Sequence, residues 1–349
     1  MLPPDLIREV DRLATTFLSG RAALFAERID DGRIVDGHAD LLADDIFCLP
    51  DGPVVLDCLD FDDKLRYVDG IDDAAFLAMD LEYLGRRDLA DYFLGRYRSL
   101  ADDSAPAALQ HFYIAYRAAV RAKTDCLRFV QRDDGASEDA LRHLDIALEH
   151  LGAAAVRLIL VGGGPGTGKT TLAHRLAERV PAQVISTDDI RRELQQSGVI
   201  SGERGVLNAG LYTAENVAAV YDAVLQRAQR HLRRGESVIL DGTWADPQQR
   251  RRARELADAT SASMTELVCT APQRTATHRI ETRTETASDA TPQIAAALSA
   301  RDDGWPEAHR LDTSRHRTRP STTPKNSAVR RFGGPAANRR TGDRSAHPI

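Results

Sequence analysis

The chain has 349 residues, a length that predicts two or three domains, and its 42% hydrophobic and 28% charged composition is that of globular protein. A net charge of −6 argues against a general nucleic-acid binder, and no stretch approaches the roughly 18 apolar residues a membrane span needs. Cys48, Cys58, Cys126 and Cys269 are scattered, with no C-x-x-C pair and no Cys/His spacing suited to zinc. Dispersed cysteines fit a reducing compartment, and the acidic N-terminus MLPPDLIREVDR lacks the apolar core of a signal peptide, so a cytoplasmic location is expected.

In chain order, residues 5–28 place Leu6, Ile7, Val10, Leu13, Phe17, Leu18 and Leu24 at helical spacing, which predicts one helix. Residues 31–63 carry turn signals at Asp31-Gly32 and Asp51-Gly52 and an apolar run over 54–56, predicting a loop and then a short hairpin. Three helices rich in Ala, Leu and Arg follow over 72–99, 105–131 and 137–151. The first opens on Asp72 and Asp73, charges that suit a helix N-terminus. DDGAS, 133–137, reads as a linker.

From about residue 155 strands and helices alternate. Strands are predicted at 156–162, 182–186, 237–241 and 264–269, with HRLDT (309–313) as a fifth. Helices are predicted at 170–180, 188–197, 214–234, 246–259 and 272–285. This alternation predicts a parallel sheet flanked by helices, an α/β domain behind a mostly helical region. After Asp312 the chain carries nine Lys/Arg, one acid and no apolar period, and is expected to be a disordered basic tail.

The segment Gly163-Gly164-Pro165-Gly166-Thr167-Gly168-Lys169-Thr170 fits G-x-x-x-x-G-K-[ST], entered by an apolar strand and left by a helix. Its glycines allow backbone N–H groups to turn inward on phosphates, and the helix N-terminus favours the same anion. ATP is therefore expected along 163–171, from Gly163 to Thr171. Lys169 would reach the β/γ-phosphates, and Thr170 with Asp241, at the end of VILD, would hold Mg²⁺. One strand over stands Ser186-Thr187-Asp188-Asp189-Ile190-Arg191. At a strand end facing the crevice, Asp188 could take a proton from an attacking hydroxyl and Arg191 could hold a phosphate or the developing charge. A serine followed by acids is also a good helix cap. On 272–285, Arg274, Arg279 and Arg283 are candidates, the last two on one helical face.

Residues 156–313 resemble the small P-loop kinases of the gluconate kinase, polynucleotide 5′-kinase and zeta-toxin type, an AAA-type ATP-binding domain, through GGGPGTGKTT, STDDIR, VILDGTW and the arginine-bearing segment. The resemblance implies Asp188 as general base, Arg191 at the acceptor and Arg279 and Arg283 as lid arginines. In that group a closing helix follows the fifth strand, where this chain has the basic tail; a shifted frame or truncation is the expectation. His38-Ala39-Asp40-Leu41-Leu42-Ala43-Asp44-Asp45 resembles the catalytic loop of aminoglycoside phosphotransferases, and Leu59-Asp60-Phe61-Asp62-Asp63 their metal segment. That implies a second, inactive site at Asp40, Asp45 and Asp60, lacking the N-terminal lobe of that fold. The carboxylates at 36, 40, 44, 45, 57, 60, 62 and 63 could themselves gather a divalent ion. The expected layout is a partial phosphotransferase-like lobe over 1–135, a helical linker over 136–152, a P-loop kinase-like domain over 153–313 and a tail over 314–349. The expected activity is ATP-dependent phosphoryl transfer to a small-molecule hydroxyl. A nucleotide-binding regulatory or remnant protein is the alternative.

Overall fold

The computed structural model describes residues 2–203, 209–282 and 304–314. Helix α1 (Pro4–Ser19) begins at a proline, which loses nothing there because first-turn N–H groups have no helical partner. The single helix expected over 5–28 is two, with α2 running Ala22–Asp30. The break has a packing cause. A Cβ at Gly20 would lie 2.2 Å from the Thr260 carbonyl oxygen, so only glycine lets α1 meet the end of a later helix, Pro247–Ala259. Arg21, wholly buried, then donates to the carbonyls of Gly20 at 2.7 Å and Thr260 at 2.8 Å. Two helix C-termini face this cation, and burial pushes its pKa down to about 10.

Two small antiparallel ribbons follow. Strand β1 (Ile34–Asp36) pairs with β4 (Tyr67–Asp69), and β2 (Ile46–Leu49) pairs with β3 (Gly52–Val55) around the expected Asp51-Gly52 turn. The three-residue strands of the first ribbon are too short to leave a period in the sequence. The helix expected over 72–99 is also two, α3 (Gly70–Tyr83) and α4 (Arg87–Leu100), parted at Gly85 with φ +81°. Then come α5 (Ala107–Val130) and α6 (Ala136–Ala154). Their core joins Phe17, Phe76, Leu94, Leu109 and Phe112, with Phe17 stacked on Phe112 at 4.4 Å.

The acids opening α3 do more than favour a helix dipole. Asp69 is the cap, accepting from the Ile71 N–H. Asp72 is buried and meets Arg117 through two bonds of 2.7 Å. Burial pushes its pKa up to about 6 against the pull of that guanidinium. Arg28 is buried between two carboxylates, bonding Asp69 at 2.8 and 2.5 Å and Asp103 at 2.6 and 2.7 Å. Removing the cation would leave two buried charges facing each other, so Arg28→Ala is expected to cost about 3–5 kcal/mol. Urea titration checks this, and a loss under about 1 kcal/mol would show the pair to be dispensable.

The second half is built on a sheet with strand order β6-β7-β5-β8-β9, every pairing parallel. Its elements are β5 (Arg157–Gly162), α7 (Lys169–Ala177), β6 (Ala182–Ser186), α8 (Thr187–Gln196), α9 (Ala214–Arg233) and β7 (Ser237–Asp241). After them come α10 (Pro247–Ala259), β8 (Ser263–Thr270), α11 (Gln273–Thr282) and β9 (His309–Asp312). The apolar runs of β5 and β7 are those of strands covered on both faces. Leu158 and Leu160 face a core with Val220, Val224 and Trp244, while Ile159 and Val161 face Ala173 and Cys269. The sheet with its flanking helices, behind a helical region, is the fold class expected. Residues up to Ser314 form one compact unit. Arg283 and the basic tail lie outside the described residues, and among the described ones no helix is long and apolar enough to cross a membrane.

Candidate active site

The loop after β5 can turn as it does because of its glycines. Gly163, Gly166 and Gly168 have φ of +129°, +75° and +85°, values that L side chains rarely adopt. Space forbids a side chain as well. A Cβ at Gly163 would lie 2.4 Å from the Cys269 carbonyl oxygen, and one at Gly166 would lie 2.4 Å from that of Ala276. Gly168 is the cap of α7, which begins at Lys169. The Lys169 side chain curls back, its Nζ donating to the Gly164 carbonyl at 3.1 Å. The Thr167 hydroxyl meets the same carbonyl at 2.8 Å. Pro165 is buried in the loop, and Thr171 is in the first turn of α7.

The hydroxyl of Thr170 donates to Asp241 Oδ2 at 2.6 Å, joining the loop to the end of β7. The other oxygen, Oδ1, is buried without a hydrogen-bond partner. Burial raises the Asp241 pKa, opposed by Lys169 and the Thr170 bond and reinforced by Asp188. The sign follows. A carboxyl whose folded pKa is raised adds stability below its unfolded value and loses it as pH rises through the folded value. The charged form is therefore a burden near neutrality. Asp241→Asn is expected to raise the melting temperature of the ligand-free protein at pH 7 and to lose that advantage in acid. A lower melting temperature at pH 7 would contradict this.

At the start of α8, Ser186 is the cap, its hydroxyl accepting from the Asp188 N–H at 3.2 Å. The helix-cap role falls on Ser186, and the Asp188 side chain is left for Arg191, whose Nη1 it accepts at 2.6 Å. Arg191 is 9% exposed in its side chain and its guanidinium lies 4.6 Å over the Tyr212 ring. Its Nε is buried without a hydrogen-bond partner. The end of β7 and the start of α8 approach closely because Gly242 has no side chain; a Cβ there would be 2.7 Å from Thr187 Cγ2. Behind them Tyr221 accepts from the Trp244 N–H at 3.3 Å and lies 3.4 Å from the Thr243 hydroxyl. Burial raises the phenol's pKa. Thus Lys169, Thr170, Asp188, Arg191 and Asp241 come from the carboxyl ends of three adjacent strands, where open parallel sheets bind ligands.

Arg279 lies on α11 beside the loop, with Nη2 donating to the Thr313 carbonyl at 2.7 Å. Arg274 is exposed, and Arg283 lies outside the described residues. Tyr212, Tyr221 and Thr313 were missed in the sequence. Thr313, at the end of the expected fifth strand, could have been found by the strand-end rule, whereas the helical Tyr221 carries no such signal. An open groove of about 450 Å³, lined by Gln183, Asp189, Arg192, Glu193, Arg227 and His231 among others, lies along β6 and contains none of the five residues. Its Arg227 and Glu193 are paired at 2.7 Å.

The segment bearing Asp40 is a well-braced loop. Ala39 has φ +68°, and the Asp73 carboxylate takes the N–H groups of His38 and Ala39 at 2.9 and 2.7 Å. Arg117 donates to the Ala39 carbonyl at 3.0 Å. Asp40 is exposed as a residue, but desolvation of its carboxyl raises its pKa against the pull of Arg121, with the charge of Asp45 adding to the rise. The His38 imidazole meets the Leu56 carbonyl at 2.8 Å and the His38 carbonyl takes the Leu59 N–H at 3.1 Å, which brings exposed Asp60 to the same end. Several of the acidic residues expected to gather a divalent ion are engaged elsewhere. Asp45 accepts from the Leu42 N–H, Asp36 from Arg66, and Asp62 from the Lys64 N–H. Among the described residues no group of three or more His, Cys, Asp or Glu is arranged to hold a metal ion.

A family model described as an AAA domain matches residues 158–302. Uncharacterized proteins of Mycobacterium tuberculosis (strain H37Rv) and Mycobacterium bovis are 58% identical over 315 residues, covering 90% of this chain and 63% of each relative. The chain thus spans under two thirds of the length of these curated relatives. Solved structures with some likeness include a gluconokinase from Sinorhizobium meliloti, 16% identical over 46% of this chain and 84% of that one, TM-score 0.34. An APS kinase of M. tuberculosis in complex with AMPPNP and APS is 16% identical over 46% of this chain and 91% of its own, TM-score 0.35.

Proposed function

We propose that this chain binds ATP with Mg²⁺ on the loop 163–171 and transfers the γ-phosphoryl group to a hydroxyl of a small-molecule acceptor. One observation carries the reading: Lys169, the Thr170–Asp241 pair and the Asp188–Arg191 pair converge at the ends of β5, β7 and β6. The AAA-domain match over 158–302 supports the nucleotide part. In this reading loop N–H groups and Lys169 bind the phosphates. Asp188 takes the proton of the acceptor hydroxyl as its oxygen bonds to the γ-phosphorus and the bridging oxygen leaves with ADP. Arg191, already bonded to Asp188, orients that base and keeps further donors for the acceptor or the transferred charge.

The residues present suit magnesium. Thr170 and Asp241 offer hard oxygen donors, and Asp241 Oδ1 is a buried oxygen with no partner. Bound there with ATP, the ion would neutralise charge on the β- and γ-phosphates. Asp40, Asp45 and Asp60 have no part in this chemistry.

The test is incubation with ATP, Mg²⁺ and a pool of low-molecular-weight metabolites, followed by mass spectrometry. A new phosphate monoester matched by ADP is expected. ATP that is bound yet recovered intact, with no acceptor modified, would favour a nucleotide-binding protein that transfers nothing.

A further inference from the structure

A loop that binds phosphate through inward N–H groups sends the carbonyls of its peptides outward. Those carbonyls are strong acceptors and need partners if the loop is to keep its shape. The Gly164 carbonyl is met from within the loop, by Thr167 and Lys169. Those of Gly166 and Thr167 are met from outside it. Arg279 Nη1 lies 3.4 Å from the Gly166 carbonyl, and the Thr313 hydroxyl lies 2.5 Å from the Thr167 carbonyl. These two residues are joined to each other, with Arg279 Nη2 donating to the Thr313 carbonyl at 2.7 Å and Nη1 3.5 Å from its hydroxyl. Thr313 is in turn anchored to β8, its N–H donating to the Thr270 carbonyl at 2.9 Å. The helix bearing Arg279 is pressed on the loop at Ala276, where Gly166 leaves no room for a Cβ.

From this the geometry points to Arg279 and Thr313 as positioning residues of the phosphate loop. They hold the Gly166 and Thr167 carbonyls outward, so that the N–H groups of the loop converge on phosphate. The inference rests on the reading of that loop as the nucleotide site. It gives Arg279 a different task from a lid arginine that neutralises the transferred phosphoryl group, because both Nη atoms face loop and strand-end oxygens. The two tasks have different signatures. A loop-positioning residue affects ADP and ATP alike and acts on affinity. A lid residue discriminates the γ-phosphate and acts on turnover.

The experiment measures ADP and ATP affinity by calorimetry, and turnover of ATP, for the full chain and for Thr313→Val, Thr313→Ser and Arg279→Lys. Loss of the hydroxyl in Thr313→Val is expected to weaken both nucleotides alike by about 5- to 10-fold, with Thr313→Ser restoring affinity to within about twofold. Arg279→Lys keeps the charge but not the two-pronged fork, and is expected to weaken both by about 10-fold with kcat nearly unchanged. If Thr313→Val does not fold, Arg279→Lys decides. Variants that bind ADP as the wild type does would overturn the inference, as would an Arg279→Lys protein with lowered kcat and untouched ADP affinity. A wild type that binds neither nucleotide would overturn the site reading itself, and the inference with it.

Discussion

Lys169→Ala is expected to weaken ATP binding by roughly 100-fold, the effect of losing one or two charge-assisted hydrogen bonds to phosphate. Little of the fold depends on this side chain. Its ammonium bonds one loop carbonyl, that of Gly164 at 3.1 Å, and that carbonyl keeps the Thr167 hydroxyl when the lysine is gone. The melting temperature of the ligand-free variant should therefore fall only slightly at pH 7, through the lost attraction between the ammonium and Asp241. Calorimetric titration with ATP makes the comparison, and an unchanged dissociation constant would remove the loop from the binding site.

Asp188→Asn should separate binding from chemistry. A positioned general base contributes about 10²- to 10⁴-fold in rate, so transfer is expected to fall by that range. ATP affinity should change little, because Asp188 belongs to α8 and not to the loop. The amide oxygen can still accept from Arg191, which keeps the local geometry that the 2.6 Å ion pair now sets. Steady-state transfer to an identified acceptor, with ATP affinity measured on the same preparation, reads both effects. A variant that transfers at the wild-type rate would show that the acceptor proton leaves by another route.

Legibility in the sequence followed the range of the interactions. The five strands and the helices between them were readable because β5 and β7 are continuous apolar runs and each strand end is marked by polar residues. Gly163, Gly166 and Gly168 were readable because a positive φ at each, with close approach at the first two, disfavours any other residue there. What the sequence hid was set by distant partners. Gly20 interrupts a helical period because of a carbonyl at residue 260. Asp72 looks like an ordinary first-turn acid until Arg117, 45 residues on, buries it. Gly85 stands inside a helical pattern that tolerates glycine until its positive φ ends the helix.

The site divides in the same way. Lys169, Thr170, Asp188 and Asp241 could be chosen from motif and strand-end position, and the structure brings all four to one end of the sheet. Asp188 and Arg191 stand three apart on α8, a spacing the sequence does show, whereas the approach of Tyr212 to Arg191 comes from outside that helix and leaves no pattern in the sequence. The acidic stretch 36–63 shows the converse. It is dense in carboxylates, yet backbone N–H groups and Arg66 engage several of them. Charge density alone did not make a metal site there.

The central claim is that one loop, 163–171, is the phosphate site of this molecule. Equilibrium binding of labelled ATP to the wild type, Lys169→Ala and Asp40→Asn tests it most directly. One nucleotide per chain is predicted for the wild type and for Asp40→Asn, with affinity weakened by roughly 100-fold in Lys169→Ala. Binding that survives Lys169→Ala and falls with Asp40→Asn would contradict the claim and move the nucleotide to the braced loop at residues 38–45.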